Sequence, residues 1–494
     1  MCLALVAVVA SVSGLNVALN ELSVELGAST SALLWVVNAY TLTMAALLLP
    51  IGELGDRIGR RSILIAGLGV FAVANGLATT ADSAGIMTAY RVLAGVGAAM
   101  IMPATLSTLT SVFPAEERGR AVGIWAGFAG AGGVLGLFSS SILIDYASWQ
   151  WLFVVPIVAA VIALVATVTI VPNTRSTDTH RIDLVGGALS ALAVGGIVLG
   201  VHEGPEVGWT EPITLLGLVG GAIAAVGYVS WSRRQEHPLL DVAIFRDRKL
   251  AAGSFSLLML FALIFGVFLV VIQYLQAVLG FSAVRSAAGL LPMAAMMMGL
   301  SPVAPQISDR IGFSRILAAG SVLLTGGFIW LATATSDPSY YAILPGLVLL
   351  GAGVGLAMSP ATTAITDALP AEKQGVASAL NDTVREFGSA LGVALIGSVL
   401  SAGYRSDITS TTETLPEELA HPVEEGIGQA MAVAGQLGAD GEAIGQAARD
   451  AFLSGWSLAM IVAAVTAAIA GGMTAAMFRG NDVPADERDL ALAA

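Results

Sequence analysis

The chain has 494 residues, of which 56% are hydrophobic and only 12% charged, with a mean hydropathy of +0.83 and a formal net charge of −13. A soluble domain carries about 25% charged residues, so this composition excludes one and points to a chain embedded in a lipid bilayer. Only two lysines are present and no basic run exceeds three residues, which leaves nothing for a nucleic-acid partner, and the single Cys2 cannot form an internal disulfide.

Each membrane span needs about 20 mainly apolar residues. In chain order the runs that qualify are 2–20, 32–51, 63–81, 86–110, 121–142, 152–171, 183–202, 212–231, 252–279, 285–306, 315–335, 341–365, 376–402 and 453–478, fourteen in all. The first begins at residue 2 with no basic segment ahead of it, unlike a cleaved signal peptide. It reads as a genuine first span whose short leader is missing through a downstream start. The polar stretch 404–451, with Glu413, Glu417, Glu418, Glu424 and Glu425, reads as a solvated extracytoplasmic loop. Seventeen of the 22 lysines and arginines fall in loops on the side of the amino terminus, and only Arg285, Arg405 and Arg449 in the opposite ones. The positive-inside rule then puts both termini in the cytoplasm of a multi-pass inner (plasma) membrane protein.

The chain repeats itself. Asp56-Arg57-Ile58-Gly59 returns as Asp309-Arg310-Ile311-Gly312, and Gly95-Val96-Gly97, Pro103-Ala104-Thr105 and Pro114-Ala115-Glu116 return in the same order about 255 residues later. The repeat joins spans two–three and four–five to spans ten–eleven and twelve–thirteen. Two similar six-helix halves with two helices inserted between them explain that eight-span offset. The division is 1–172 for the first bundle, 173–250 for the inserted pair and linker, 251–479 for the second bundle and 480–494 for a tail. Parallel repeats of this kind are common in transporters.

The residues carrying the repeat also carry a likeness. Gly52, Leu54, Gly55, Asp56, Arg57, Gly59, Arg60 and Arg61 resemble the signature loop between helices two and three of the major facilitator superfamily, and Arg91 with Gly95, Gly97, Ala98 and Ala99 resembles its fourth-helix motif. Asn16-Val17-Ala18-Leu19, Trp149-x-Trp151-x-Phe153, Tyr274-Leu275-Gln276 and Asn381-x-x-x-Arg385 with Gly388 and Gly392 resemble the fourteen-helix drug:proton antiporter branch. The resemblance covers essentially the whole chain. It implies an all-α fold of two six-helix bundles plus two inserted helices, and a carrier that exports small apolar or amphipathic molecules (drugs, dyes, antibiotics) in exchange for protons. It implies no cofactor, and the chain is expected to act as a monomer. Three departures stand out. The fifth-helix antiporter motif reads Gly136-Leu137-Phe138-Ser139-Ser140-Ser141, Ser11 stands where the branch often has an Asp, and Asn38 replaces another acid.

Physical readings accompany these motifs. The Gly55–Arg61 loop is a tight turn with charges of both signs. Asp56 can accept hydrogen bonds from a helix N-terminus or pair with an arginine of its own loop, latching one side shut; alternatively the arginines only anchor the loop at the membrane surface. Asp309 and Arg310 repeat the pattern. Arg91 lies inside a span, where a charge costs about 2.5–3.5 kcal/mol on the lenient insertion scale. It faces the bundle interior or snorkels. Asp382, Arg385 and Glu386 share a helical face in the thirteenth span and are candidates, with Arg91, for proton coupling; a closed Asp382–Arg385 gate pair is the alternative. Asn16, Trp35, Asn38, Tyr40, Trp125, Tyr274 and Gln276 are candidates for a substrate cavity, or for plain packing. No Gly-Lys phosphate loop, intramembrane histidine pair or nucleophile elbow is present, so neither an ATPase, a metal centre nor a catalytic site is expected. A symporter or facilitator of the same fold, and a receptor or scaffold that does not transport, are the competing readings.

Overall fold

The computed structural model describes residues 1–15, 18–175, 182–334, 338–413 and 415–477, and among them the only regular structure is helical. The helices are α1 (Cys2–Ser13), α2 (Leu19–Leu26), α3 (Thr30–Ile58), α4 (Arg60–Ala78), α5 (Ala84–Val112), α6 (Ala115–Tyr146) and α7 (Trp151–Ile170), then α8 (Leu184–Val207) and α9 (Pro212–Ser232). They continue with α10 (Arg248–Gln273), α11 (Ala283–Gly289), α12 (Leu291–Leu300), α13 (Ala304–Ile311), α14 (Phe313–Thr333), α15 (Tyr340–Asp367), α16 (Gln374–Thr412), α17 (Glu417–Glu425), α18 (Ile427–Leu437) and α19 (Glu442–Met477). Among the described residues thirteen helical stretches are long and apolar enough to cross a bilayer, and they fall on the expected spans from the second onward.

Three expected segments differ. The first span divides: α1 has 12 residues, about 18 Å of helix, and α2 follows as a separate amphipathic helix carrying Glu21. Asn20, Glu21 and Glu25 lie within α2 and make it polar on one side. The tenth span, 285–306, is three short helices rather than one. Pro292, Pro302 and Pro305 each lack a backbone N–H and break the hydrogen-bond ladder. The polar stretch 404–451 is not an open loop. α16 runs on to Thr412, α17 and α18 follow, and α19 starts at Glu442. Tyr404, Ile408, Val423, Ile427 and Ala430 bury an apolar seam between these helices, and the Tyr404 hydroxyl donates to the Val423 carbonyl at 2.8 Å.

Packing sorts the helices into two groups. α1 and α3–α7 pack on one another, as do α10–α16 and α19. The groups meet where α16 lies against α3 and α5, and where α6 lies against α11, α12 and α15. α8 and α9 form a tight pair at the flank, Gly196 and Gly200 against Gly217 and Gly221. α8 touches α3 and α16, while α9 turns Leu216, Ile223 and Val226 outward. The turn between α3 and α4 recurs between α13 and α14. Gly59 has φ 109° and Gly312 φ 97°, values that residues with a side chain avoid.

Candidate functional site

The repeated loop lies at the arginine-rich end. Asp56, 4% exposed, ends α3 with both carboxylate oxygens engaged. It accepts from Arg60 Nη2 at 2.8 Å and Nε at 3.1 Å, from the Gly375 N–H at 2.8 Å and from the Val376 N–H at 3.2 Å. Those two N–H groups belong to the first turn of α16, where backbone donors lack intrahelical partners and the helix dipole favours an anion. Arg60 also donates to the Ala371 carbonyl at 2.9 Å. A Cβ at Gly52 would sit 2.6 Å from both Ala379 Cβ and the Gly375 carbonyl, so α3 and α16 close here only because the residue is glycine. Gly55 turns toward Ile63, Arg61 donates to the Val168 carbonyl, and Arg57 lies within electrostatic reach of Glu53.

The second copy behaves differently. Asp309 and Arg310 are exposed, and among the described residues neither makes an ion pair. Asp309 borders a cavity of about 750 Å³ between the two groups of helices. One wall carries Arg118, Arg120 and Arg175 with Glu116, the other Asp309, Asp367 and Glu372. Gln374 Oε1, Arg118 Nε and Thr363 Oγ1 border it without protein partners, which marks it as a space for water.

Arg91 is 1% exposed. Its Nε donates to the Val36 carbonyl at 3.3 Å, Nη1 to Ser11 Oγ at 3.0 Å and Nη2 to the Ser11 carbonyl at 3.3 Å. The guanidinium lies 4.2 Å from the centroid of the Tyr40 ring, and the Tyr40 hydroxyl donates to the Val8 carbonyl at 3.1 Å. Every hydrogen-bond partner is neutral, because Ser11 stands where an acid would give an ion pair. The side chain therefore points inward and does not snorkel.

The second buried cluster lies on α16. Arg385 Nη1 donates to Asp382 Oδ1 at 3.0 Å, and Asn381 Nδ2 to the same oxygen at 3.3 Å. Asp382 Oδ2, Asn381 Oδ1 and Arg385 Nε have no partner. The Arg385 guanidinium stacks between Phe261 at 4.6 Å and Trp125 at 5.3 Å, joining both helix groups. Trp125 is fixed by a 3.1 Å hydrogen bond to Thr105 Oγ1. Glu386, one turn beyond Asp382, is only half-buried.

The remaining aromatic candidates separate. Tyr40 and Trp125 are fully buried beside the two arginines. Tyr274 is buried inside the second group, 4.6 Å from Trp456, and so packs rather than lines a cavity. Gln276 is exposed on a π-helical turn, Trp35 and Asn38 are half-buried, and Asn16 lies outside the described residues. The glycines of α6 split by neighbour. Gly119, Gly123 and Gly127 face Pro305, Ser301–Pro302 and Met298 of the other group, whereas Gly132 and Gly136 face Val9 and Ala10 of α1. The unusual Ser140 meets Gly14, and Ser141 donates to the Leu137 carbonyl at 2.8 Å, so this departure touches the α1 contact and not the seam between groups. Sequence reasoning passed over Phe261, Thr105, Glu53 and Asp183. Only Asp183 carried a signal, as an acid directly before an apolar helix.

Comparison with known proteins matches the profile of the Major Facilitator Superfamily over residues 1–393. The chain is 32% identical over 388 residues to the multidrug resistance protein Stp of Mycobacterium tuberculosis, covering 78% of this chain and 72% of that one. It is 32% identical over 480 residues to the tetracenomycin C resistance and export protein of Streptomyces glaucescens, covering 94% and 87%. Among solved structures it resembles the human organic anion transporter MFSD10, with a TM-score of 0.58 at 11% identity over 96% and 98% of the chains; at that identity the likeness is one of fold.

Proposed function

The chain belongs to the major facilitator superfamily, and from that premise we propose that it exports small apolar or amphipathic molecules in exchange for protons, by alternating access between two six-helix halves. It is a membrane transporter and not an enzyme. Resistance and export in the names of its relatives support the outward direction and the drug-like class of substrate. The arginine-rich end is the cytoplasmic one on this reading, both termini lie there, and the carrier works as a monomer in the inner membrane.

One observation carries the coupling. Arg91, Asp382 and Arg385 are ionisable groups 4% exposed or less inside a membrane helix bundle, where charge is costly and packing has no use for it. Asp382 keeps one oxygen unpartnered, open to a proton from a wet path. In the ionised pair Asp382 holds Arg385 between Trp125 and Phe261. Protonation releases that hold, and through Arg385 α16 reaches Trp125 of α6. Loss of the pair thus weakens this one contact across the seam, while the Asp56 latch holds α3 to α16. Arg91 supplies the fixed positive charge of the first half.

The test is transport into proteoliposomes with and without an imposed pH gradient. Dye or antibiotic accumulation that needs the gradient and collapses with a protonophore supports exchange. Accumulation in the same direction as the proton flow would replace the reading by a symporter.

A further inference from the structure

The inserted pair α8–α9 has no counterpart in the repeat, and its contacts converge on one carboxylate. Asp183 caps α8, its Oδ1 accepting from the Gly186 N–H at 2.8 Å. The same oxygen accepts from Trp231 Nε1, at the end of α9, at 2.9 Å. Its Oδ2 accepts from the Leu239 N–H at 3.2 Å, in the linker that leads to α10. Its own backbone N–H donates to Glu53 Oε1 at 3.2 Å. Glu53 sits three residues before Asp56 on α3 and is 8% exposed.

The linker is held as firmly. Leu239 and Leu240 are buried. The Tyr228 hydroxyl donates to the Leu240 carbonyl at 2.9 Å and accepts from its N–H at 3.0 Å. The residue before Leu239 reaches the other half: the Lys373 ammonium donates to the Pro238 carbonyl at 2.8 Å. Lys373 stands two residues before Gly375, whose N–H the Asp56 carboxylate holds. A continuous path therefore runs from Glu53 through Asp183, Leu239 and Pro238 to Lys373, beside the latch and parallel to it.

We infer that α8, α9 and the 233–247 linker form a strap across the arginine-rich gate, with Asp183 as the positioning residue that ties it to the latch of both halves. Separation of Gly375 from Asp56 moves Lys373 away from Glu53. The path between them must then break, at the Lys373–Pro238, Asp183–Leu239 or Glu53–Asp183 bond. The strap stabilises the closed gate and returns it to register after opening. An amide at 183 cannot serve: one of its two terminal atoms becomes a donor, facing either the Leu239 N–H or the Trp231 N–H.

This rests on the gate opening during the cycle, but its test needs neither substrate nor gradient and fails separately from the proposed transport. Spin labels at Ser62 and Arg315, both exposed at the arginine-rich end, would be placed in a Cys2→Ser full-length chain in nanodiscs, and their separation measured by pulsed electron resonance. Asp183→Asn and Lys373→Met are each expected to raise the ratio of long to short separations about tenfold, the scale of one lost charged hydrogen bond. The double variant is expected to go no further than either single one, because the two bonds lie in series. Unchanged distances in folded protein, even with lowered thermal stability, would overturn the strap. So would a shift in Asp183→Asn with Lys373→Met silent. Should Asp183→Asn fail to fold, Lys373→Met, a half-buried side chain on the far end of the path, decides the matter alone.

Discussion

Replacing Arg91 by methionine is expected to separate stability from transport. The guanidinium makes three hydrogen bonds and stacks on Tyr40 at 4.2 Å. Taking the low end of about 1.5 kcal/mol for each charged hydrogen bond and about 1–2 kcal/mol for the ring contact, the loss is roughly 6 kcal/mol. Against it, removing an intramembrane charge that has no anionic partner returns about 3 kcal/mol, and the methionine stem refills much of the volume. The net, about 3 kcal/mol, lowers the unfolding temperature without preventing insertion. Transport driven by a pH gradient should nevertheless fall to a tenth or less in proteoliposomes. Arg91→Lys should be intermediate: an ammonium reaches Ser11 or Val36 but has no planar fork to span both or to stack. An Arg91→Met protein that still concentrates dye against its gradient would refute the argument that this charge was kept for function.

Asp382→Asn is expected to leave downhill substrate exchange intact while a pH gradient no longer drives accumulation, and Glu386→Gln to act more mildly, because Glu386 is half-buried; counterflow and gradient-driven uptake on the same vesicles read the two apart. Gly123→Val should slow transport several-fold and lower stability, since its Cβ would lie 2.5 Å from the Ser301 carbonyl and 2.8 Å from Pro302 Cα across the seam; initial rates of dye efflux and thermal unfolding measure the two effects. Gly59→Ala should lower stability by more than the about 1–2 kcal/mol of a left-handed residue, because its Cβ would also meet the Asn173 side chain at 2.5 Å. Gly312→Ala should lower stability too, because Gly312 has φ 97°, and thermal unfolding in detergent measures both.

Much of this architecture is legible in the chain because the bilayer allows few solutions: a run of twenty apolar residues has to be a helix. What escaped reading lies where that rule loosens. Proline content, not hydropathy, decides that 285–306 is three pieces, and an apolar count is blind to it. The 404–451 segment looks like a loop because its helices are amphipathic and acidic, with buried positions such as Tyr404 and Val423 scattered among glutamates. In the site, Arg91, Asp56 and Asp382 declare themselves by being charged in apolar surroundings. Their partners do not. Phe261 and Thr105 are ordinary residues of a membrane helix, and only the fold brings them to Arg385 and Trp125.

The two copies of the signature loop show what a motif leaves unsaid. Both make the same turn, with Gly59 and Gly312 at positive φ, and both end in an Asp-Arg pair. Only Asp56 grips the opposite helix. The reason lies outside the motif, in where that helix begins. α6 starts one residue after Pro114, so the N–H groups of Gly119 and Arg120 fall in its second turn and are already bonded within the helix. α16 starts four residues after Pro370, behind a short 3₁₀ turn, so Gly375 and Val376 present free first-turn donors. Asp309 is left facing a cavity of about 750 Å³ lined by Arg118 and Arg120 on the opposite wall, and among the described residues it makes no ion pair. A duplicated chain thus carries one made latch and one unmade one at the same end. The made latch ties the end of α3 to the first turn of α16. The unmade one leaves a charged cleft beside it, and under the proposed cycle opening this end has to part α16 from Asp56 and strain the Lys373–Pro238 contact.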